Sequence, residues 1–140
     1  MNRHQVTGAL GCLFVLYVLY GIAGLRWNFS LCLPTGLWRV THEQIQRGSY
    51  VTLMEPIKQV AALPGDTVMF TARGVYVNGQ LWPQSAPVGP NHYPFTTMVL
   101  QPGQYLLMGR HPLSWDGRYG GWTTATIIGS TARPLWVKSR

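Results

Sequence analysis

The N-terminal segment has twenty consecutive positions without a charged side chain, residues 6–25, dominated by Leu, Val, Tyr, Ala and Gly. A helix of that length crosses the roughly 30 Å of hydrocarbon in a bilayer. A cleaved signal peptide is the alternative, because Gly21, Ala23 and Gly24 lie near the end of the segment, but its apolar region usually has only about 7–15 residues. The pattern predicts a retained transmembrane anchor over residues 1–26, followed by one domain over residues 27–140.

The chain has 140 residues and a net charge of +7, from 11 Lys and Arg against 4 Asp and Glu. The basic residues are scattered and form no stripe with interleaved aromatic residues, so we expect the lipid bilayer as the counter-charge and no nucleic-acid partner. Arg3 and His4 precede the apolar segment, while Arg26 and Arg39 follow it. These flanking charges leave the orientation in the membrane open.

Beyond the anchor, short runs of β-branched and aromatic residues alternate with turn residues, which predicts a single, mostly β domain. The Asn78-Gly79 pair favours a two-residue hairpin between residues 75–77 and 80–82. The polar, proline-rich residues 83–94 predict a loop, and Thr41 with Gln44 would cap one helical turn. The predicted strands cover residues 36–40, 50–54, 57–63, 67–71, 74–77, 98–100, 105–108 and 126–130.

The two cysteines are badly placed for a disulfide, because Cys12 falls inside the anchor and Cys32 lies seven residues beyond its last apolar position. A helix from residue 12 to residue 25 alone rises about 20 Å, whereas a disulfide requires Cα atoms within about 7 Å. We therefore expect Cys32 to be a free thiol. It is either a small buried apolar residue or a nucleophile, and at most about 24 Å of extended chain separates it from the membrane.

Two further side chains bear on that choice. Lys58 is the lysine in the middle of the chain, since the second lysine is Lys138 near the C-terminus. A lysine serves as a base only when an apolar site lowers its pKa, and in a strand Lys58 would share its face with Val60 and Ala62. The alternative is a surface lysine paired with Glu55.

Ser30 precedes Cys32 by two residues. Its hydroxyl is placed to stabilise an oxyanion together with the backbone amide of Cys32. Alternatively, Ser30 is a turn residue, or it completes an Asn28-Phe29-Ser30 glycosylation sequon.

Four ordered blocks resemble the TraF-type conjugative transfer signal peptidases, a branch of the signal peptidase I family of Ser-Lys proteases. The first block has the family's spacing of Asn, Ser or Thr, nucleophilic Ser, apolar residue, Pro, Gly, Leu and aromatic residue, with a cysteine at the nucleophile position. The other blocks are similar to the family's Gly-Asp-Tyr-Val strand, its lysine strand and turn, and its Ser-x-Asp-Ser-Arg-Tyr segment. The matching residues are 28–38, 47–51, 57–68 with 75–79, and 114–121.

The resemblance implies a signal-peptidase-like, β-rich catalytic domain with one N-terminal transmembrane helix, and it implies roles for individual residues. Lys58 would be the general base for Cys32, and the Ser30 hydroxyl with the Cys32 amide would form the oxyanion hole. Ser114 would hydrogen-bond the lysine, and Asp116 with Arg118 would form a supporting ion pair. Residues 63–66 would form a turn whose aspartate takes no part in the chemistry. No cofactor or metal is expected.

Cys32 departs from the family's serine. A thiol ionises more readily than a hydroxyl, but sulfur is larger and attacks with different geometry. Three interpretations follow: a natural cysteine variant that works, an introduced substitution, or a weakened enzyme. We favour the first, because Leu33, Pro34 and the rest of the block are intact.

The resemblance also implies the biological setting. Such enzymes mature a conjugative pilin precursor at the bacterial inner membrane, with the domain in the periplasm, and some join the new C-terminus to the N-terminus to give a cyclic pilin. A general type I signal peptidase acting on other membrane-proximal peptides is one alternative. An inactive family member that serves as a transfer or pilus assembly protein is the other.

Overall fold

The computed structural model describes residues 3–53, 56–124 and 128–138. Within these ranges the chain forms two helices and eleven strands. The helices are α1 (Arg3–Ile22) and α2 (Gly117–Gly120). The strands are β1 (Leu25–Asn28), β2 (Gly36–Thr41), β3 (Tyr50–Thr52), β4 (Ile57–Ala62), β5 (Thr67–Thr71), β6 (Gly74–Val77), β7 (Gln80–Leu81), β8 (Thr97–Val99), β9 (Gln104–Met108), β10 (Thr123–Thr124) and β11 (Thr131–Val137).

Helix α1 is long and apolar enough to cross a membrane. Its Gln5–Ile22 window has a mean hydropathy of 1.7, and none of the window is buried against the rest of the chain. These properties fit a single-pass anchor or a signal sequence. The helix ends at Ile22, so the last two positions of the predicted anchor belong to the sheet instead, where Leu25 pairs with Arg39 and Arg26 with Trp38.

The remainder is mostly β, as the sequence predicts. A seven-stranded antiparallel sheet has the order β1-β2-β11-β3-β4-β9-β10, and a four-stranded antiparallel sheet has the order β7-β6-β5-β8. The Asn78-Gly79 hairpin is confirmed, with positive φ angles of 50° and 81° at the two residues and Val77 paired with Gln80. Of the predicted strand over residues 50–54, Met54 lies outside the described residues.

Strand β11 is the main departure from the sequence prediction. The predicted strand over residues 126–130 is wrong at residues 128–130, which form no strand, while residues 125–127 lie outside the described part. The strand instead begins at Thr131 and inserts between β2 and β3. The helical turn predicted near residues 41–47 is wrong as well, because Thr41 is the last residue of β2 and residues 42–47 form no helix. The Thr41 hydroxyl lies 2.8 Å from that of Thr131 in the neighbouring strand.

The largest core cluster joins the two sheets. Its members come from β4 and β9 of the seven-stranded sheet, from β5 and β6 of the four-stranded sheet, and from the connection before β9. Burying these side chains removes apolar surface from water and fixes how the sheets pack. The buried members are Ala61, Ala62, Val68, Phe70, Val75, Val77, Leu100, Leu106 and Met108.

The turn at residues 63–66 fixes the end of the lysine-bearing strand β4. The Asp66 carboxylate accepts hydrogen bonds from the Leu63 backbone amide at 2.7 Å, from Asn78 Nδ2 at 2.8 Å and from Arg47 Nη2 at 2.5 Å. Burial alone would raise the pKa of Asp66, but these three donors hold it below its usual range. All three partners are scaffold groups, so the carboxylate acts as a structural acceptor.

Candidate active site

The loop between β1 and β2 carries Cys32, and the Asn28 side chain holds this loop. Asn28 is 6% exposed, and its Nδ2 donates to the carbonyl oxygens of Leu33 at 3.3 Å and Pro34 at 3.1 Å. Its Oδ1 accepts from the Ser30 backbone amide at 3.2 Å. One buried amide therefore ties together both sides of the cysteine.

Packing and two backbone hydrogen bonds attach the loop to the rest of the domain, and one of the two runs from the Lys138 amide to the Thr35 carbonyl oxygen at 2.9 Å. Leu33 is 2% exposed and lies in a buried cluster with Trp38 of β2 and Ile57 of β4. The Arg110 backbone amide donates to the Cys32 carbonyl oxygen at 2.6 Å. Cys32 is a free, half-buried thiol, as the sequence predicts.

Gly36 allows β11 to approach the C-terminal end of this loop. Its φ of +151° and its contact with the β11 backbone leave no room for a side chain, because a Cβ there would overlap the Trp136 carbonyl oxygen. The glycine two residues after Pro34 in the first sequence block therefore has a steric reason.

Lys58 lies in β4, between β3 and β9, and only 2% of its surface is exposed. Its Nζ is 3.1 Å from Cys32 Sγ and 2.7 Å from Ser114 Oγ. The surface-lysine alternative is therefore wrong, and Glu55, its proposed partner, lies outside the described residues.

The apolar wall beside Lys58 differs in part from the prediction. Val51 lies directly opposite Lys58 in β3, and Val60 lies two residues further along β4, so both share the lysine's face and both are fully buried. A register shift between Val60 and Ala62 breaks the alternation, and Ala62 packs in the cluster that joins the sheets.

Ser114 reaches Lys58 from a tight turn that follows β9. The Ser114 backbone amide donates to the His111 carbonyl oxygen at 2.9 Å, which closes the turn. Gly109 faces the serine, and a Cβ at that position would overlap Ser114 Oγ and lie 2.7 Å from Ser114 Cβ. A residue without a side chain is therefore required there.

A buried ion pair between Asp116 and Arg118 lies beside the same turn. Both side chains have no exposed surface, and Arg118 Nη2 lies 2.6 Å from Asp116 Oδ2. Arg118 also donates to the carbonyl oxygens of His111 at 2.6 Å and Gln84 at 2.9 Å, while Asp116 accepts from the Gly109 amide at 2.8 Å. The pair is hydrogen-bonded on several sides, which offsets the cost of burying two charges.

The electrostatics of the site favour the thiolate. Burial alone would raise the pKa of the Cys32 thiol, but hydrogen bonding to Ser114 and Lys58, the charge of Lys58 and a smaller contribution from the Ser30 hydroxyl together lower it below its ordinary value. An ionised cysteine is the nucleophilic form.

The Ser30 hydroxyl is buried and makes no hydrogen bond of standard geometry among the described residues, although it lies close enough to Cys32 to contribute to the lowering of the thiol's pKa. A buried hydroxyl without a well-formed hydrogen bond costs free energy unless another group pairs with it. Ser30 also lines a cleft of about 380 Å³ that runs between the cysteine loop and the segments next to β3 and β4. The other lining residues are Arg26, Trp27, Asn28, Phe29, Val40, Thr52, Leu53, Pro56, Ile57, Gly129 and Ser130.

The structure thus brings Cys32, Lys58 and Ser114 into direct contact, with Asp116 and Arg118 behind the turn and Ser30 two residues away on the cysteine loop. Sequence reasoning missed the anchoring role of Asn28 and the steric role of Gly109. Asn28 was visible as a motif position, but its three contacts depend on the loop's fold. Gly109 had no local signal, because its constraint comes from a residue five positions later.

Comparison with known proteins identifies the family of the chain. Residues 6–136 match the family described as signal peptidase, peptidase S26. The chain belongs to this family, and the resemblance drawn from its sequence blocks is confirmed. The match extends through β11 almost to its end, so the strand that the sequence did not reveal lies within the family's region.

Among individual relatives, the chain is 27% identical to a plasmid transfer protein TraF of Escherichia coli, over 96% of this chain and 95% of that protein. It is 29% identical to a conjugal transfer protein TraF of Agrobacterium tumefaciens (strain 15955), over 94% of this chain and 93% of the relative. A crystal structure of a signal peptidase I from Enterococcus faecalis V583 overlaps 65% of this chain and 98% of its own, with a TM-score of 0.47 and 19% identity.

Proposed function

We propose that this chain is a membrane-anchored endopeptidase that processes a conjugative pilin precursor, with Cys32 as nucleophile and Lys58 as its base. The observation that carries the proposal is the buried contact of Lys58 Nζ with Cys32 Sγ at 3.1 Å and with Ser114 Oγ at 2.7 Å. The conjugative setting is supported by relatives that are named as plasmid and conjugal transfer proteins and that align over nearly their whole length.

The first half of the reaction forms an acyl-enzyme. The Cys32 sulfur attacks the carbonyl carbon of the scissile peptide, and the proton that leaves the thiol is held on Lys58 Nζ. The Ser30 hydroxyl and the Cys32 backbone amide stabilise the oxyanion. Lys58 then gives the proton to the departing amine, while the Ser114 hydroxyl keeps Nζ in line.

The second half depends on which nucleophile reaches the thioester. Water gives a linear product, whereas an amine, such as the N-terminus of the same pilin, gives a cyclic one. Both thioesters and oxygen esters react with amines and with water, and the preference for the amine is greater for a thioester. The cysteine therefore favours joining of ends over hydrolysis, and a serine in its place shifts the balance toward the linear product.

The membrane arrangement follows from the same proposal. Residues 1–26 are a retained single-pass anchor in the bacterial inner membrane, although helix α1 itself ends at Ile22, and residues 27–140 form a catalytic domain in the periplasm. Trp27 and Phe29, on the chain leaving the anchor, line the cleft that also contains Ser30. A substrate emerging from the bilayer would therefore meet the cleft directly.

The test is co-expression of the full chain with the pilin precursor encoded beside its gene, followed by mass spectrometry of the product. We expect a truncated pilin whose mass is one water below that of the linear fragment. Cys32→Ala abolishes processing, Cys32→Ser gives mostly linear product, and Cys12→Ala, which changes the other thiol, has no effect.

Two outcomes contradict the proposal. Processing at an unchanged rate by the Cys32→Ala variant would remove the nucleophile from the mechanism. Equal processing of a panel of unrelated secreted precursors would indicate a general signal peptidase instead.

A further inference from the structure

The Cys32 sulfur has a lysine amine as a close neighbour and no second thiol within reach. The only other cysteine in the sequence is Cys12, ten residues before the end of α1, and the helix alone places it about 15 Å along its axis from Ile22. Oxidation of Cys32 therefore cannot be resolved by a disulfide within one chain. The amine of Lys58, 3.1 Å away, is the nucleophile in contact with the sulfur.

The two groups also differ in their access to solvent. Cys32 is half-buried, whereas Lys58 is 2% exposed. A small hydroperoxide reaches the exposed part of the sulfur, while the amine already contacts the same sulfur from within the domain. An incoming nucleophile displaces a group on sulfur from the side opposite to that group, so a hydroxyl added opposite Nζ is the one that the amine displaces.

We propose that hydroperoxide oxidation of Cys32 leads to a reversible covalent bond between Cys32 Sγ and Lys58 Nζ, a sulfenamide that disables both groups. In the first step the thiolate attacks a peroxide oxygen and the O–O bond breaks. The sulfur is oxidised by two electrons to a sulfenic acid, and the hydroxide or alkoxide that leaves takes the proton held on Lys58 Nζ, which gives water or alcohol and an uncharged amine.

In the second step the uncharged amine attacks the sulfenyl sulfur. The S–N bond forms, the S–OH bond breaks, and the hydroxide takes a proton from the nitrogen to leave as water. The protein has then lost two hydrogen atoms relative to the free thiol and amine. Two equivalents of an external thiol reverse the change by reducing the sulfur and releasing the amine.

The surroundings of the pair support both steps. The lowered pKa of Cys32 supplies the thiolate that reacts with peroxide. An S–N bond is shorter than the observed contact, and the flexible methylene stem of Lys58 allows Nζ to advance if it gives up its hydrogen bond to Ser114 Oγ. The bond also protects the sulfur from the irreversible sulfinic and sulfonic states, which give no route back to the thiol.

The experiment uses the full chain with Cys12→Ser in detergent, exposed to hydrogen peroxide, quenched with catalase and analysed by intact mass and tryptic mapping. We expect a species lighter by two hydrogen atoms that reverts on treatment with dithiothreitol. Trypsin no longer cuts after Lys58 in that species, so residues 27–39 appear joined to residues 48–73. Lys58→Arg removes the bond, because a guanidinium stays protonated, while Lys138→Arg, at the other lysine, leaves it intact.

Three results overturn the inference. The first is a linked species that carries an additional oxygen, which indicates a different bridge. The second is a sulfenic acid that is trapped in full by dimedone while trypsin still cuts after Lys58. The third is direct progress to sulfinic acid in the parent chain at the rate seen in Lys58→Arg.

The inference rests on the proposed function only for its consequence that oxidation stops peptidase activity. The cross-link is read by mass alone, without substrate. If the chain forms the bond but never cleaves the pilin precursor, the proposed function is wrong and the sulfenamide inference holds. If the chain cleaves the precursor but forms no bond, the sulfenamide inference is wrong and the proposed function holds.

Discussion

The two halves of the candidate dyad are held in place by different means. Lys58 lies in β4, whose backbone is hydrogen-bonded to β3 on one side and β9 on the other. Cys32 lies in a loop that is held by the Asn28 side chain, by the packing of Leu33, by backbone hydrogen bonds from Arg110 and Lys138 and by a hydrogen bond from the Trp38 indole to Pro34. The lysine half is thus fixed by the sheet as a whole, and the cysteine half by a few individual contacts.

This difference has a physical consequence. Displacing a residue from the middle of a sheet breaks several backbone hydrogen bonds and opens the core, so the lysine half moves only with the domain. Within the described part of the chain, the cysteine loop has no strand neighbour on either side of Cys32, so removing one of its few side-chain contacts shifts it more readily. Perturbations of the lysine half should therefore reduce stability and activity together, whereas perturbations of the cysteine half should act mainly on reactivity.

The largest effect is expected for Lys58→Ala. Removing the base should lower the rate of pilin processing by about 10²–10⁴-fold. At neutral pH, Cys32 should react with iodoacetamide faster than a free thiol does, and Lys58→Ala should abolish this difference. Lys138→Ala is the matched control and should change neither rate. An unchanged alkylation rate in Lys58→Ala would show that the lysine does not activate the sulfur.

Loss of the buried Asp116–Arg118 ion pair, beside the turn that carries Ser114 to Lys58, should lower the free energy of unfolding strongly. Arg118→Met leaves the fully buried Asp116 carboxylate without its partner and should cost about 3–5 kcal/mol. Arg133→Met removes an exposed pair with Glu43, in which the side chains are 66% and 47% exposed, and should cost less than about 1 kcal/mol. Thermal unfolding of the full chain in detergent measures both, and equal losses would contradict the assignment of Asp116 and Arg118 as support for the turn.

Gly109→Ala tests the packing that holds Ser114 against the lysine. The added methyl group would overlap Ser114 Oγ, so the serine turn must move away from Lys58, at a cost of up to about 3 kcal/mol. The expected result is a lower kcat for processing with a smaller change in KM. Gly120→Ala, with no atom within 4 Å of its Cβ position, is the control. Full activity in Gly109→Ala would show that the Ser114 contact is dispensable.

Asn28→Asp addresses the cysteine half. The aspartate keeps an acceptor for the Ser30 amide but loses the donor to the Leu33 and Pro34 carbonyl oxygens, at a cost of about 1–2 kcal/mol. The rate of Cys32 alkylation should fall clearly, while the free energy of unfolding falls by no more than that cost, because the loop loses its shape and the sheet stays intact. Asn91→Asp introduces the same charge at an exposed loop position and should be neutral. A fall in stability without any change in alkylation would contradict the comparison of the two halves.

The smallest effect is a pH shift from Ser114→Ala. A thiol with a lowered pKa loses its proton at lower pH, so its alkylation persists further into the acidic range than that of a free thiol. Hydrogen bonding to Ser114 is the largest of the contributions that lower the Cys32 pKa, and its loss should move the midpoint of the alkylation profile upward. The rate of iodoacetamide labelling against pH measures the midpoint, and a shift downward would be inconsistent with the site geometry.

Much of the β-domain could be predicted from the chain because its strands are short, rich in β-branched residues and separated by strong turn residues. Strand β11 could not, because Pro134 lacks a backbone donor and argues against a central strand. The structure accommodates the proline through a register shift between Pro134 and Trp136, while β11 pairs with β2 and also with β3. Only the pairing of residues about 90 positions apart makes this segment a strand.

The candidate site also has one part that the sequence predicts and one part that only the fold determines. Its residue types and their order along the chain follow from the sequence blocks, because a free cysteine, a mid-chain lysine and a following Ser-x-Asp-x-Arg segment are local facts. Their meeting does not follow, because 26 residues separate Cys32 from Lys58 and 56 separate Lys58 from Ser114.

By itself, then, the sequence determined an apolar helix, a mostly β domain and the side chains available for chemistry, since periodicity and turn preference act over a few residues. The tertiary structure decided that β11 lies between β2 and β3 in the sheet, that Gly109 must lack a side chain and that the lysine amine touches sulfur in a buried site. These are contacts between distant segments, and packing of the whole domain sets them.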